Sequence, residues 1–180
     1  TPTRSSAASD VYKRQGLYWS KIPGTENAKT IEPDENYILP IGKACKVIEA
    51  EEKHEKSGES LVIITYGRGV YWSLEASKYF AGKIEILDLR TLSPLDEDQI
   101  LKSVKKHGKS LIVTEEPSSA SFSLGIAGFI QENCFEFLDA PVKIIGSENT
   151  PAIPLNENLE FTYLPNASKV QKAISTLLEY

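Results

Sequence analysis

The sequence predicts an α/β fold, with a parallel sheet covered by helices on both faces. Two observations carry this. Leu61-Val62-Ile63-Ile64, Ile84 to Leu89, Ser110 to Thr114 and Val142 to Gly146 are short apolar runs rich in β-branched residues. Strands buried on both faces have that composition. Helical stretches separate these runs at intervals of roughly 10–15 residues, the spacing of βαβ units with right-handed crossovers.

Taken in order, Lys43 to Ile48 alternates weakly and is expected to form a first, edge strand. Glu49 to Glu59 is charged, ends in Ser57-Gly58 and reads as a flexible loop. The run at Leu61 closes at Tyr66-Gly67-Arg68-Gly69 and passes into a helix carrying Val70, Trp72, Leu74, Ala76, Tyr79 and Phe80. After Ile84–Leu89, Asp96-Glu97-Asp98 opens an amphipathic helix with Ile100, Leu101 and Val104 inside. Acidic residues in its first turn and Lys105, Lys106 and His107 in its last complement the helix dipole, and Gly108 suits the stop. Ser110–Thr114 is the next strand, followed by a long apolar helix from about Phe122 to Leu138. Val142–Gly146 is the last strand. Ser168–Leu178 is the last helix, with Val170, Ala173, Ile174 and Leu177 inward.

Three segments follow: a tail (1–15), an extended linker from an upstream domain (16–42) and a domain (43–180). The tail ends in Asp10-Val11-Tyr12-Lys13-Arg14-Gln15, which is similar to one reading frame through a transposon-end adapter; a disordered native tail has the same composition. The adapter reading makes the chain part of a longer protein. Pro23-Gly24, Glu32-Pro33-Asp34 and Pro40 are linker signals.

Composition excludes several function classes. The chain has 180 residues, 41% of them hydrophobic and 25% charged, with a net charge of −5, so nothing suggests a nucleic-acid or anionic-membrane footprint. No apolar run reaches the length of a membrane span, and no signal peptide opens the chain, so the expected location is cytoplasmic. Cys45 and Cys134 lie far apart in no metal spacing and read as reduced, buried or half-buried thiols. Gly67 and Gly69 begin a G-x-G-x-x-G pattern, but Trp72 stands at the third glycine. They are read as the tight turn between strand and helix. No G-x-S-x-G elbow exists, and His54 and His107 are poorly placed for a triad. Glu115-Glu116, at the carboxyl end of a strand, is the best acid pair, although such charges more often belong to a helix start.

Three ordered strings carry a family resemblance. They are Tyr37-Ile38-Leu39-Pro40-Ile41-Gly42-Lys43-Ala44, Thr65 to Val70 continuing to Leu74-Glu75-Ala76, and Asp88-Leu89-Arg90-Thr91-Leu92-Ser93-Pro94-Leu95-Asp96. Leu138 to Val142, Asn149-Thr150-Pro151 and Leu164-Pro165-Asn166 continue the series. Over roughly Leu17 to Tyr180 the chain resembles the transketolase C-terminal-like domain of the β chain, or fused α/β chain, of thiamine-diphosphate-dependent 2-oxo acid dehydrogenases. The resemblance implies a three-layer α/β/α domain whose mostly parallel sheet has about five strands, the first antiparallel. It implies oxidative decarboxylation of a 2-oxo acid (pyruvate or branched-chain) on thiamine diphosphate and Mg²⁺, bound by domains this chain lacks. No catalytic, cofactor-binding or metal residue is then expected here, and the chain alone is expected to be inactive. Its implied partners are a lipoyl-bearing dihydrolipoamide acyltransferase and other dehydrogenase chains, as a homo-oligomer or α2β2-like assembly. Asp139 and the carboxylate of Tyr180 match family positions near the docking surface; helix-end capping and a frayed terminus are the plain alternatives. Arg90 is expected to be pinned by a carboxylate, ordering the turn before Pro94; a solvent-exposed arginine is the equal alternative. The sequence departs from the family at Ala120 to Gly125, where many relatives are glycine-rich, and at Asn149, where aspartate is common. A stand-alone interaction module remains a second reading. Another thiamine enzyme, transketolase or deoxyxylulose-phosphate synthase, remains a third, disfavoured by the string Asp88 to Asp96.

Overall fold

The computed structural model describes residues 34–150, 154 and 156–180. The tail 1–15, linker residues 16–33 and Pro151 lie outside them. The chain divides into two units, Thr1–Ile38 and Leu39–Tyr180. In the described part of the first, the N–H groups of Asn36 and Tyr37 turn back onto Asp34.

All regular structure belongs to the second unit among the described residues. Its strands are β1 (Cys45–Ile48), β2 (Leu61–Thr65), β3 (Ile84–Asp88), β4 (Ser110–Pro117) and β5 (Lys143–Ser147). Its helices are α1 (Glu52–Lys56), α2 (Gly69–Ser77), α3 (Glu97–His107), α4 (Phe122–Cys134), α5 (Glu157–Tyr163) and α6 (Ala167–Leu178). The sheet order is β1-β3-β2-β4-β5. β1 runs antiparallel to β3 and every other pairing is parallel.

The period-2 alternation of strands sorts the core into two layers. Leu61 and Ile63 of β2, Ile84 and Ile86 of β3, and Leu111 and Val113 of β4 pack with Trp72 and Ala76 of α2 and Val170, Ile174 and Leu177 of α6. The alternate residues Val62, Ile64, Leu87 and Ile112 pack with Ile100 and Val104 of α3 and Ile126, Ile130 and Cys134 of α4. Every residue of β2 is buried, because helices cover both its faces. Each buried Leu or Ile contributes roughly 1.5–3 kcal/mol.

Local chemistry sets the ends of the elements. Asp96 caps α3 by accepting from the Gln99 N–H (3.4 Å), and Gly108, with φ +68°, ends it in the left-handed region. Asp96 also accepts from the Ala44 N–H (2.9 Å) and lies 3.6 Å from Lys43 Nζ, while the Gly42 N–H donates to Thr91 Oγ1 (2.9 Å). Two strings far apart in sequence, Tyr37–Ala44 and Asp88–Asp96, therefore interlock in space through residues 42–44. Asp96→Ala removes a helix cap and leaves the Ala44 N–H without its acceptor. The expected loss is roughly 2–3 kcal/mol in urea unfolding, with Asp96→Asn intermediate.

The structure corrects several local expectations. Glu52–Lys56, expected to be loop, forms a short helix with no buried residue, held by local ion pairs such as Lys56–Glu52 (2.6 Å). With no apolar face there was no period to read. The helix expected to reach Leu138 ends at Cys134, and Phe135–Phe137 tightens into a 3₁₀ turn. Helix α5 was not expected; the Asn156 side chain caps it by accepting from the Asn158 and Leu159 N–H groups.

Candidate functional site

The carboxyl edge of a parallel sheet is where α/β folds place ligands, and here it is occupied by the chain's own groups. At the end of β2, Gly67 has φ +59° and turns the chain into α2. A Cβ on Gly69 would lie 2.2 Å from Thr65 Oγ1 and 2.7 Å from the Val113 carbonyl oxygen, so α2 starts against β4 with no room for a side chain. The Gly69 and Val70 N–H groups donate to the Tyr66 and Gly67 carbonyls (3.2 and 3.4 Å). Those two N–H groups are spent inside the turn, not aimed at a ligand phosphate. Trp72 is buried in the core beneath, and Arg68 lies over its ring at 5.2 Å.

Glu115 and Glu116 separate in role. Glu115 is exposed, 3.8 Å from Arg68. Glu116 accepts from Tyr66 Oη (2.7 Å) and from the Ser123 N–H (2.9 Å) at the start of α4, while Thr114 Oγ1 donates to Tyr66 Oη (3.0 Å). Burial would raise the Glu116 carboxyl, but the Tyr66 hydroxyl and the N–H groups of Ser123 and Phe122 outweigh it and hold it below the usual range. Burial foremost, then the bond to Glu116, pushes the Tyr66 phenol up. A carboxylate kept ionised by several donors and a phenol kept protonated form a fastening between β2, β4 and α4. They are poorly matched to proton transfer near neutrality.

The turn after β3 is built around Arg90, which has φ +58°. Its backbone N–H donates to Asp88 Oδ1 (3.1 Å), and the Thr91 N–H closes onto the Leu89 carbonyl. The carboxylate thus engages the backbone; the guanidinium is exposed and forms no ion pair among the described residues. Pro94 follows a cis peptide bond, and its ring fills the space that a Cβ on Gly42 would enter. A side chain at positive φ costs about 1–2 kcal/mol. Arg90→Gly is therefore expected to keep or slightly raise the melting temperature, and the β-branched Arg90→Val to lower it. Ala120 also has positive φ (+51°).

Asp139 and Tyr180 are both exposed. The Asp139 N–H donates to the Gly108 carbonyl (2.8 Å), and its carboxylate lies over Gly108, 2.1 Å from where a Cβ would stand. Ala140, beside Asp139, packs in the same core layer as Leu177 and Leu178 near Tyr180.

At the opposite edge lies a group that sequence reasoning passed over. His107, read only as a last-turn residue that complements the helix dipole, is buried, with Nδ1 2.7 Å from Ser60 Oγ and Nε2 3.3 Å from Glu85 Oε2. Glu85 is fully buried on β3, and Lys46 of β1 and Lys106 of α3 also approach it, at 3.2 and 3.8 Å. Serine, histidine and glutamate stand in line, but all three are sealed from solvent, so the arrangement is a structural network. The one available signal was a glutamate inside the apolar run Ile84–Leu89.

The glycine turn spends its N–H groups internally, and among the described residues no group of three His, Cys, Asp or Glu is spaced to hold a metal ion.

Comparison with known proteins agrees with this arrangement. Residues 50–170 match the family model "Transketolase, C-terminal domain". The chain is 35% identical over 151 residues to the 2-oxoisovalerate dehydrogenase subunit beta of Bacillus subtilis (strain 168), covering 82% of this chain and 44% of that protein. It is 33% identical over 155 residues to the pyruvate dehydrogenase E1 component subunit beta of Rickettsia conorii, covering 84% and 43%. The chain thus spans less than half the length of these relatives. Among solved structures, a split-gene transketolase in an inactive β4 tetramer superposes with a TM-score of 0.63 at 16% identity, covering 81% of this chain and 45% of that one, a likeness of fold alone. The five-stranded sheet with its antiparallel edge, the interlocked strings and the matched residues lead to one assignment: the chain belongs to the transketolase C-terminal domain family.

Proposed function

We propose that this chain is the C-terminal assembly and docking domain of the decarboxylating component of a 2-oxo acid dehydrogenase acting on pyruvate or a branched-chain 2-oxo acid. The observation that carries the reading is the alignment of four-fifths of the chain with less than half of several dehydrogenase β subunits, on a domain whose own polar groups are spent on structure. On this reading residues 43–180 are the domain and 16–42 lead into it from a cofactor-binding part of the enzyme. Thiamine diphosphate and Mg²⁺ are bound there, and the chain alone is inactive.

Docking rests on charge. Asp139 and the C-terminal carboxylate of Tyr180 are exposed and present negative charge to a basic module of a lipoyl-bearing dihydrolipoamide acyltransferase. Such contacts weaken with salt. Calorimetric titration of the chain with a basic acyltransferase subunit-binding domain is expected to give binding that falls with ionic strength. Asp139→Asn combined with amidation of the Tyr180 carboxyl group should weaken it by about tenfold. Salt-independent docking, or none, refutes the charge model. Titration with thiamine diphosphate and Mg²⁺ should give no binding heat, and micromolar affinity would overturn the domain assignment.

A further inference from the structure

We propose that the groove between β5 and α6 receives an extended, acidic polypeptide segment of a partner protein, which adds to the sheet as a sixth strand. The proposal rests on features that the reading above does not use. β5 is the last strand of the sheet order, so its outer row of backbone N–H and C=O groups has no strand partner among the described residues. Beside it lies a groove of about 400 Å³, bounded by β5 on one side and α6 on the other. Its floor includes Ile145 and Gly146, both only half-buried.

Charge selects the occupant. Lys143, Lys169 and Lys172 line the groove against a single carboxylate, Glu148, in a chain whose net charge is −5. Lys169 is already engaged, donating to the Thr162 and Leu164 carbonyls (2.6 and 3.1 Å) and lying 3.9 Å from Glu148. Lys143 and Lys172 form no ion pair among the described residues, whereas Lys46, Lys53, Lys56, Lys78, Lys83 and Lys106 each do. The side chains of 143 and 145 share a face of β5, so Lys143 stands over the same side of the strand as the apolar floor.

Edge strands accept extended peptides through main-chain hydrogen bonds, with side-chain pockets giving specificity. An alternating acidic–apolar segment would set its carboxylates on the face of Lys143 and Lys172 and its apolar side chains on the opposite face, beside Ile144. Lysine on an edge strand also discourages pairing between copies. In a second copy paired through β5, Lys143 and Lys172 would add positive charge to both sides of the same seam, which disfavours self-association.

The test uses the full chain and a labelled, capped peptide of four Glu-Val repeats, with a four-fold Lys-Val peptide as control. Fluorescence anisotropy and amide chemical shifts are followed together. Expected are saturable binding of the acidic peptide alone, shifts confined to 143–148 and 169–176, and weakening with salt. Lys143→Glu with Lys172→Glu should weaken it by about tenfold and admit the basic peptide, and the Gln pair should fall between. Unchanged circular dichroism and melting show that the variants fold. No shifts at millimolar peptide, equal binding of both peptides, shifts elsewhere, or dimerisation through β5 would each overturn the proposal. Displacement of the peptide by inorganic phosphate at low millimolar concentration would also overturn it, marking a small-anion site instead.

Discussion

Glu85→Ala is expected to lower the melting temperature by roughly 10 °C or more, the largest effect of any single polar substitution considered. Glu85 is fully buried and is approached by Lys46, His107 and Lys106 from three directions. Removing one partner of a buried charge network leaves the others uncompensated and costs about 3–5 kcal/mol. Its pH signature is specific. Burial by itself would raise the carboxyl above its ordinary 4.5; polar contacts from His107 and Ser103, the charge of His107 and the contact from Lys46 outweigh it and hold it at about 2. A carboxyl lowered on folding contributes stability that is fully present above the unfolded value and is lost as the pH falls from about 4.5 towards 2. The corresponding contribution is roughly 3 kcal/mol. Urea unfolding at several pH values should show a steep loss of stability across that window, and Glu85→Gln should flatten it. A variant as stable as the parent at pH 7 would show that the network contributes nothing.

Gly69→Ala should destabilise the domain towards the upper end of the roughly 1–3 kcal/mol typical of overpacking. The added Cβ meets Thr65 Oγ1 and, behind it, the Val113 carbonyl oxygen, which is backbone of the neighbouring strand and cannot rotate away. It would also disturb the buried hydrogen bond that Thr65 Oγ1 donates to Val113 (2.8 Å). Thr65→Ala in the same chain removes the nearer obstacle but not the carbonyl. Partial rescue in a double-mutant cycle is therefore expected, measured as the shift in urea midpoint. Full rescue would mean that the β4 backbone yields, and the close packing of α2 on β4 would lose its support. The glycines of this turn are accounted for by packing at Gly69 and by a left-handed backbone at Gly67.

Much of the architecture was legible from the amino acids. Continuous apolar runs could be read as doubly covered strands because both faces of β2, β3 and β4 demand the same kind of side chain. Asp96 and Gly108 marked the ends of α3 because a cap and a left-handed stop are local requirements, satisfied within a few residues. Glu116 was half legible: its place beside a helix start was visible in the chain, but its partner Tyr66 lies fifty residues away. The short helix α1 left no trace because it buries nothing. At Arg90 the sequence suggested a guanidinium pinned by a carboxylate; in the fold Asp88 accepts from the backbone N–H of Arg90, and the guanidinium is exposed.

His107 shows where such reading stops. In the chain it is one more basic residue at a helix end; folded, it faces a glutamate twenty-two positions earlier and a serine forty-seven positions earlier. What the residues determined alone was the sheet, its helical cover and the likeness to a known family, since periodicity, capping and motif order are properties of neighbours along the chain. What only the tertiary structure decided was the partnering of its charges: Glu85 sealed in a network, Glu116 spent on a fastening, Lys143 and Lys172 left facing an open strand edge. Charge partnering depends on distance in space, and Coulomb energy in a buried or half-buried setting changes steeply over a few ångströms. Contacts between residues dozens of positions apart are fixed only when the sheet closes and brings those positions together.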